Sequence, residues 1–152
     1  MVKVNSDICK EIMHRENLTC VIADSEKIIY KSDRKGILPM LEILDLYEKE
    51  DYKPLYQADR IIGKAAVIIS THCGIKEIYS DVISQAAYDI AVRNDITVCY
   101  DQLVEMILDP SRKKEGPFEA ALHDVDENDF EKVLQIIHET LLKVQNRQKD
   151  TE

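Results

Sequence analysis

A three-layer α/β/α sandwich around a mixed sheet of four to five strands is the fold class the sequence predicts, and three observations carry it. Two β-rich runs, Thr19-Cys20-Val21-Ile22-Ala23 and Lys27-Ile28-Ile29-Tyr30-Lys31, flank the turn formers Asp24-Ser25-Glu26, which makes an antiparallel hairpin near the N-terminus. Beyond it, strand patterns at 75–79 and 97–100 alternate with apolar residues at helical spacing, as in parallel strands joined by right-handed crossovers. A long amphipathic stretch then closes the chain, with Phe130, Val133, Leu134, Ile137, Leu141 and Val144 on one face.

Each element follows from local pattern. Ser6 is placed to cap a first helix carrying Ile8, Cys9, Ile12 and Met13 and ending near Glu16-Asn17. After the hairpin and a turn at 32–36, Ile37, Met40, Leu41, Leu44 and Tyr47 mark a second helix with Pro39 in its first turn. The polar segment 48–56, with Pro54, ends it. Apolar residues at 58, 61, 62, 65, 69 and 73 next recur at helical spacing, so residues 57–73 are expected as one helix stopped at Gly74, with Arg60, Lys64 and Thr71 on its wet side. Ile83, Ala86, Ala87, Ile90 and Ala91 form another helix, and Leu103, Met106, Ile107 and Leu108 a short one closed by Asp109-Pro110. Residues 112–116 read as a charged loop, and Pro117-Phe118-Glu119 open a brief helix. The last helix is expected to start near Asn128, at capping-box spacing from Glu131, and to fray over 146–152. The whole of 1–152 is read as a single domain with its core over about 5–144.

Composition narrows the partners. The 29 acidic residues exceed the 20 basic ones, giving a formal charge of -9, which argues against a general binder of nucleic acid or anionic membrane. The longest wholly apolar run is five residues, 65–69, where a bilayer span needs about 20, so a soluble, cytoplasmic protein is expected. Cys9, Cys20, Cys73 and Cys99 form no C-x-x-C pair and are expected to be reduced and mostly buried.

The predicted order, helix, hairpin, helix, strand, helix, strand, helix, resembles that of the cytidine deaminase-like fold, and Gln57-Ala58-Asp59-Arg60 resembles in rhythm the His- or Cys-Ala-Glu motif that opens a core helix of zinc deaminases. More specifically, residues 58–66, the strand Gly74-Ile75-Lys76-Glu77-Ile78-Tyr79, Val82-Ile83-Ser84 and Pro117-Phe118-Glu119 look like an uncharacterised family of bacterial and archaeal proteins catalogued as a domain of unknown function with a deaminase-like fold. The likeness covers about residues 5–138. Zinc catalysis needs three protein ligands and a nearby acid/base glutamate. Against that pattern Gln57 stands at the first ligand position, residues 81–87 hold no Cys or His, and Asp59 stands where the glutamate would be. No zinc and no other cofactor are therefore expected, and no deamination of cytidine or adenosine. A further departure is Gly116, where members of that family tend to carry Cys.

The crevice at the strand ends is the expected site, bordered by Asp59, Ser84, Tyr100 and Glu119, with nucleoside-like or nucleotide-like ligands implied by the resemblance. Each residue also has a plain structural use: Asp59, Ser84 and Glu119 as first-turn or capping groups, Tyr100 as packing. Lys64 follows Gly63 inside a helical pattern, outside any phosphate-loop motif, and serves as a rim contact or a solvated charge. The first reading is a small-molecule binding or regulatory module. The alternatives are a metal-independent enzyme with Asp59 as acid/base, assisted by Lys64 or Ser84, and an assembly domain whose partner is a second copy of the chain.

Overall fold

A computed structural model of the chain describes residues 4–49, 52–109 and 114–150, with side chains placed through residue 147. Strands β1 (Cys20–Ala23) and β2 (Ile28–Ser32) form the expected hairpin; β3 (Tyr56–Ile62), β4 (Glu77–Ser84) and β5 (Thr97–Val104) complete a five-stranded sheet of order β2-β1-β3-β4-β5. β1 runs antiparallel to both neighbours, whereas β3, β4 and β5 are mutually parallel. Helix α1 (Ser6–Arg15) covers one face. Helices α2 (Leu38–Lys49), α3 (Lys64–His72), α4 (Gln85–Arg93), α5 (Pro117–Ala121) and α6 (Phe130–Asp150) gather on the other.

Period-two alternation explains the two cores. In β1, Cys20 and Ile22 point into the large cluster built with α2, α3, α4 and α6, while Val21 and Ala23 join Cys9 and Met13 of α1 beneath the sheet. β3 and β4 repeat the division, Ala58 and Tyr79 lying on the α1 side and Ile78 on the other. Gly74, at φ 86°, ends α3 in the left-handed region that only glycine enters without cost.

The largest correction concerns residues 57–73. Residues 56–62 are a strand, and the helix begins only after Gly63, whose extended backbone is its N-cap. The apolar residues at 58, 61 and 62 belong to a central strand buried between β1 and β4, and those at 65 and 69 to a helix; laid end to end, they mimic one helical stripe. The short helix expected at 103–108 is also absent. Leu103 and Val104 instead pair with Ile83 and Ser84, prolonging β5.

Caps shift as well. Asn5, not Ser6, caps α1 by accepting from Ile8 N (3.1 Å), which leaves the Ser6 hydroxyl to donate to Glu77. Asp129, not Asn128, accepts from Lys132 N (3.3 Å) at the start of α6, which continues through the tail expected to fray, to Asp150. Arg60 and Lys64 are not on a wet face: both spend their cationic groups on backbone carbonyls, with Arg60 also held by Asp81. Of the loop at 112–116, residues 112–113 lie outside the described residues, as do 151–152 of the tail. Cys9, Cys20 and Cys73 are buried and Cys99 is exposed, all as free thiols. Among the described residues no helix is long and apolar enough to cross a membrane.

Candidate functional site

Parallel strands that feed helices leave a crevice at their carboxyl ends, because the chain turns away from the sheet there. Here the crevice opens where β3 passes through Gly63 into α3, beside Ile107, Leu108 and Asp109, which follow β5, and Gly116, which precedes α5. It encloses about 420 Å³, with Ile37, Pro39, Ile61, Ile107 and Phe118 among its apolar walls and Asp59 and Glu119 among its polar groups.

Asp59 sits mid-strand rather than in a helix turn, so the capping role expected for it does not exist. Its carboxyl accepts from Gln57 Nε2 (3.3 Å), and the backbone N–H groups of Ile61 and Arg60 and the Cys20 thiol, across the β1–β3 ladder, lie near enough to favour its charged form. All of these donors are neutral. Burial therefore outweighs them, and the acid is pushed up to about 7. Gln57, fully buried on the same face, is fixed in turn: the Ser70 hydroxyl reaches its Oε1 (2.6 Å), and its amide nitrogen lies 3.4 Å from Met40 Sδ. Sequence reasoning placed Gln57 as a vacant ligand position, whereas it is the group that orients Asp59. The signal for it was the alternation Gln57/Asp59 against Ala58, readable once the segment is taken as a strand.

Glu119 enters from α5 and is 8% exposed. Its Oε1 accepts from Lys64 N (2.5 Å), occupying the first free amide of α3, and its carboxyl also accepts from Ser84. Burial and the nearby Glu115 raise its pKa, against the lowering by those donors and the Lys64 charge. Gly63 is required by this contact, since a Cβ there would collide with Glu119 Oε1. Gly116 is tight too: its N–H donates to Ile107 O (2.7 Å), and a Cβ would come within 3.3 Å of that same oxygen.

The other expected residues separate. Ser84 is fully buried, caps α4 by accepting from Ala87 N (3.2 Å), and meets the site only through Glu119. Lys64 contributes its amide, while its Nζ binds Leu122 O (2.8 Å) and Val125 O (3.1 Å). Tyr100 is outside the cleft. It lies mid-β5, 42% exposed and edge-on to Tyr88, because β5 is an edge strand that the helices cover incompletely. His72 stacks on Phe130 (3.7 Å between centroids), away from the cleft.

The donor set does not fit the zinc of deaminases. Helices α3 and α4 open with Gly63-Lys64-Ala65 and Ser84-Gln85-Ala86, and among the described residues no three His, Cys, Asp or Glu side chains gather to hold a metal ion.

Fold and cleft together define an α/β domain with a mixed five-stranded sheet, helices on both faces, and an acid-bearing apolar crevice. Residues 8–141 match the family model for a domain of unknown function, DUF1893, and the chain belongs to that family. Its fold is similar to the 2.70 Å crystal structure of a DUF1893 family protein, TM1506 from Thermotoga maritima, with a TM-score of 0.75 and 23% identity over 91% of this chain and 92% of that one. No curated protein matches it.

Proposed function

We propose that this protein is a small-molecule binding or regulatory module whose ligand enters the cleft at the end of β3 and is held by Asp59 and Glu119. One observation carries the reading: two carboxyl groups, both raised by burial, border the same apolar cavity, whose volume of about 420 Å³ suits a small organic ligand. A protein that only needed to fold would gain by replacing a half-buried acid that no cation matches with an apolar residue. The order helix, hairpin, helix, strand, helix, strand, helix supports a cytidine deaminase-like assignment, and on that analogy nucleosides and nucleotides are the first ligands to try. The chemistry at the two helix starts differs from that of the zinc enzymes, so no metal-bound water is part of this proposal.

The acidity of Asp59 favours a second reading, a metal-independent enzyme in which Asp59 exchanges a proton with the ligand. An acid near 7 is half-ionised at neutral pH, where both giving and taking a proton are accessible. Thermal-shift measurements against nucleosides, nucleotides and divalent metals test the first reading, with Asp59→Asn and Glu119→Gln as controls. A ligand that stabilises the wild type and neither variant supports the cleft; stabilisation that survives both substitutions places binding elsewhere and ends the proposal. Turnover of the bound ligand, abolished in Asp59→Asn while binding persists, separates the enzyme from the module.

A further inference from the structure

Among the described residues, two acids, Asp59 and Glu119, line the cleft, while Arg60 and Lys64, cations that approach it, are engaged elsewhere. Arg60 spends its guanidinium on Leu18 O (2.8 Å), Met13 O (3.3 Å) and Asp81 Oδ2 (3.1 Å). Lys64 Nζ is held by two carbonyls of the α5–α6 connection. Among the described residues, Lys35 is the lining cation that lies exposed at the mouth. The walls cannot compensate, being aliphatic or aromatic. At the start of α3 a carboxylate of the protein itself, Glu119, already takes the first amide, that of Lys64.

We infer that the ligand of this cleft is an organic cation: a compact amidinium, guanidinium or protonated amino-heterocycle on an apolar body, its N–H groups turned to Asp59 and Glu119. This deepens the proposed function and rests on it. A planar N–H cation donates charge-assisted hydrogen bonds to carboxylates, and its body fills the apolar walls. An anionic ligand would meet two buried acids, and a neutral apolar one would strip their remaining water without pairing them. A bare metal ion lacks the ligand set.

Binding of a cation must also expel the proton from Asp59. The groups facing that carboxyl are the Cys20 thiol from β1, the Gln57 amide from its own strand and, across the cleft, Glu119, with Lys35, Asp109 and Glu115 nearer the mouth. None is a free base beside it, so the released proton goes to solvent, and affinity rises with pH up to about 7 before levelling.

Isothermal titration of the full chain with benzamidine, benzamide and benzoate, three probes of matched shape and different charge, tests this. Benzamidine should bind at least ten-fold tighter than benzamide, and benzoate should not bind. Benzamidine affinity should climb several-fold between pH 6 and 7 with a proton released into the buffer, and Asp59→Asn or Glu119→Gln should each weaken it ten-fold or more, with Asp59→Glu restoring part. Thermal melts of each variant check that it folds. Equal or tighter binding of benzamide or benzoate, or benzamidine binding indifferent to Asp59→Asn, overturns the inference. A neutral nucleoside that binds through Asp59 while benzamidine does not overturns the cation and leaves the proposed function standing; failure of every Asp59-dependent ligand overturns both.

Discussion

Asp59 and Asp81 stand on neighbouring strands of one sheet, Asp81 directly following the ladder partner of Asp59, yet their surroundings drive their acidities in opposite directions. Asp81 lies on the α1 side and collects the His14 imidazole (2.7 Å), the Tyr79 hydroxyl (2.7 Å) and the Arg60 guanidinium (3.1 Å). Although its burial acts to raise it, these partners together hold its carboxyl below the usual range. Asp59 lies on the other side among neutral donors, where burial prevails and raises it to about 7. The fold has matched one carboxylate with a cation of its own, Arg60, and left the other without one. The first clamps α1 to the sheet; the second faces a cavity. A carboxyl whose partners all come from the protein is a structural element, whereas one that the fold desolvates and leaves without a cation is a candidate site.

The comparison breaks first at Asp81. Asp81→Ala removes the common acceptor of three side chains and leaves Arg60 half-buried without its counter-ion, so we expect a loss of about 3 kcal/mol in urea unfolding, with little effect on ligand affinity. A loss under about 1 kcal/mol would show that the cluster is ornamental. Next, Gly63→Ala drives a Cβ into Glu119 and should cost about 2 kcal/mol; the penalty shrinks in a Glu119→Ala background, since the clash is with that carboxylate. Purely additive costs would mean that the two residues do not meet.

Asp59 should behave with the opposite sign. Its folded pKa lies above the unfolded value of 3.8, so the native state holds the extra proton and stability falls as pH rises from about 4 to about 7. Asp59→Asn abolishes that fall and should be about 1–2 kcal/mol more stable than wild type at pH 8, while losing the ligand. Asp81 works the other way: its stabilisation is full above the unfolded carboxyl range and is lost as pH drops through its lowered folded value. Wild type and Asp59→Asn of equal stability across pH 4–8 would erase the distinction. The smallest effect belongs to Tyr79→Phe, which deletes one of three donors to Asp81 and should cost about 1 kcal/mol, with a slight upward move in the Asp81 titration visible by NMR.

Much of the architecture was legible because it rests on local patterns. The hairpin, α1, α2, α4 and the last helix announce themselves by alternation or by helical spacing and end near the turn residues expected. Asp59 and Glu119 were singled out from the sequence and both line the cleft, but Asp59 was placed in a helix turn, whereas a strand register sets it beside Cys20 and above Gln57. Ser84, at the end of β4, and Tyr100, in the middle of β5, are both polar, and nothing local tells that one is sealed beside Glu119 while the other stands on an open sheet edge. The boundary at Gly63 was hidden because two buried elements in sequence, one of period two and one of period 3.6, share the same apolar alphabet.

The sequence by itself determined the class of fold, the number of layers and the acidic character of the chain, since periodicity and composition are properties of neighbours along the backbone. Only the tertiary structure decided which carboxylate is matched and which is not. Electrostatic pairing depends on groups tens of residues apart, as Asp81 is from His14 and Glu119 from Lys64, and on how deeply packing removes each from water.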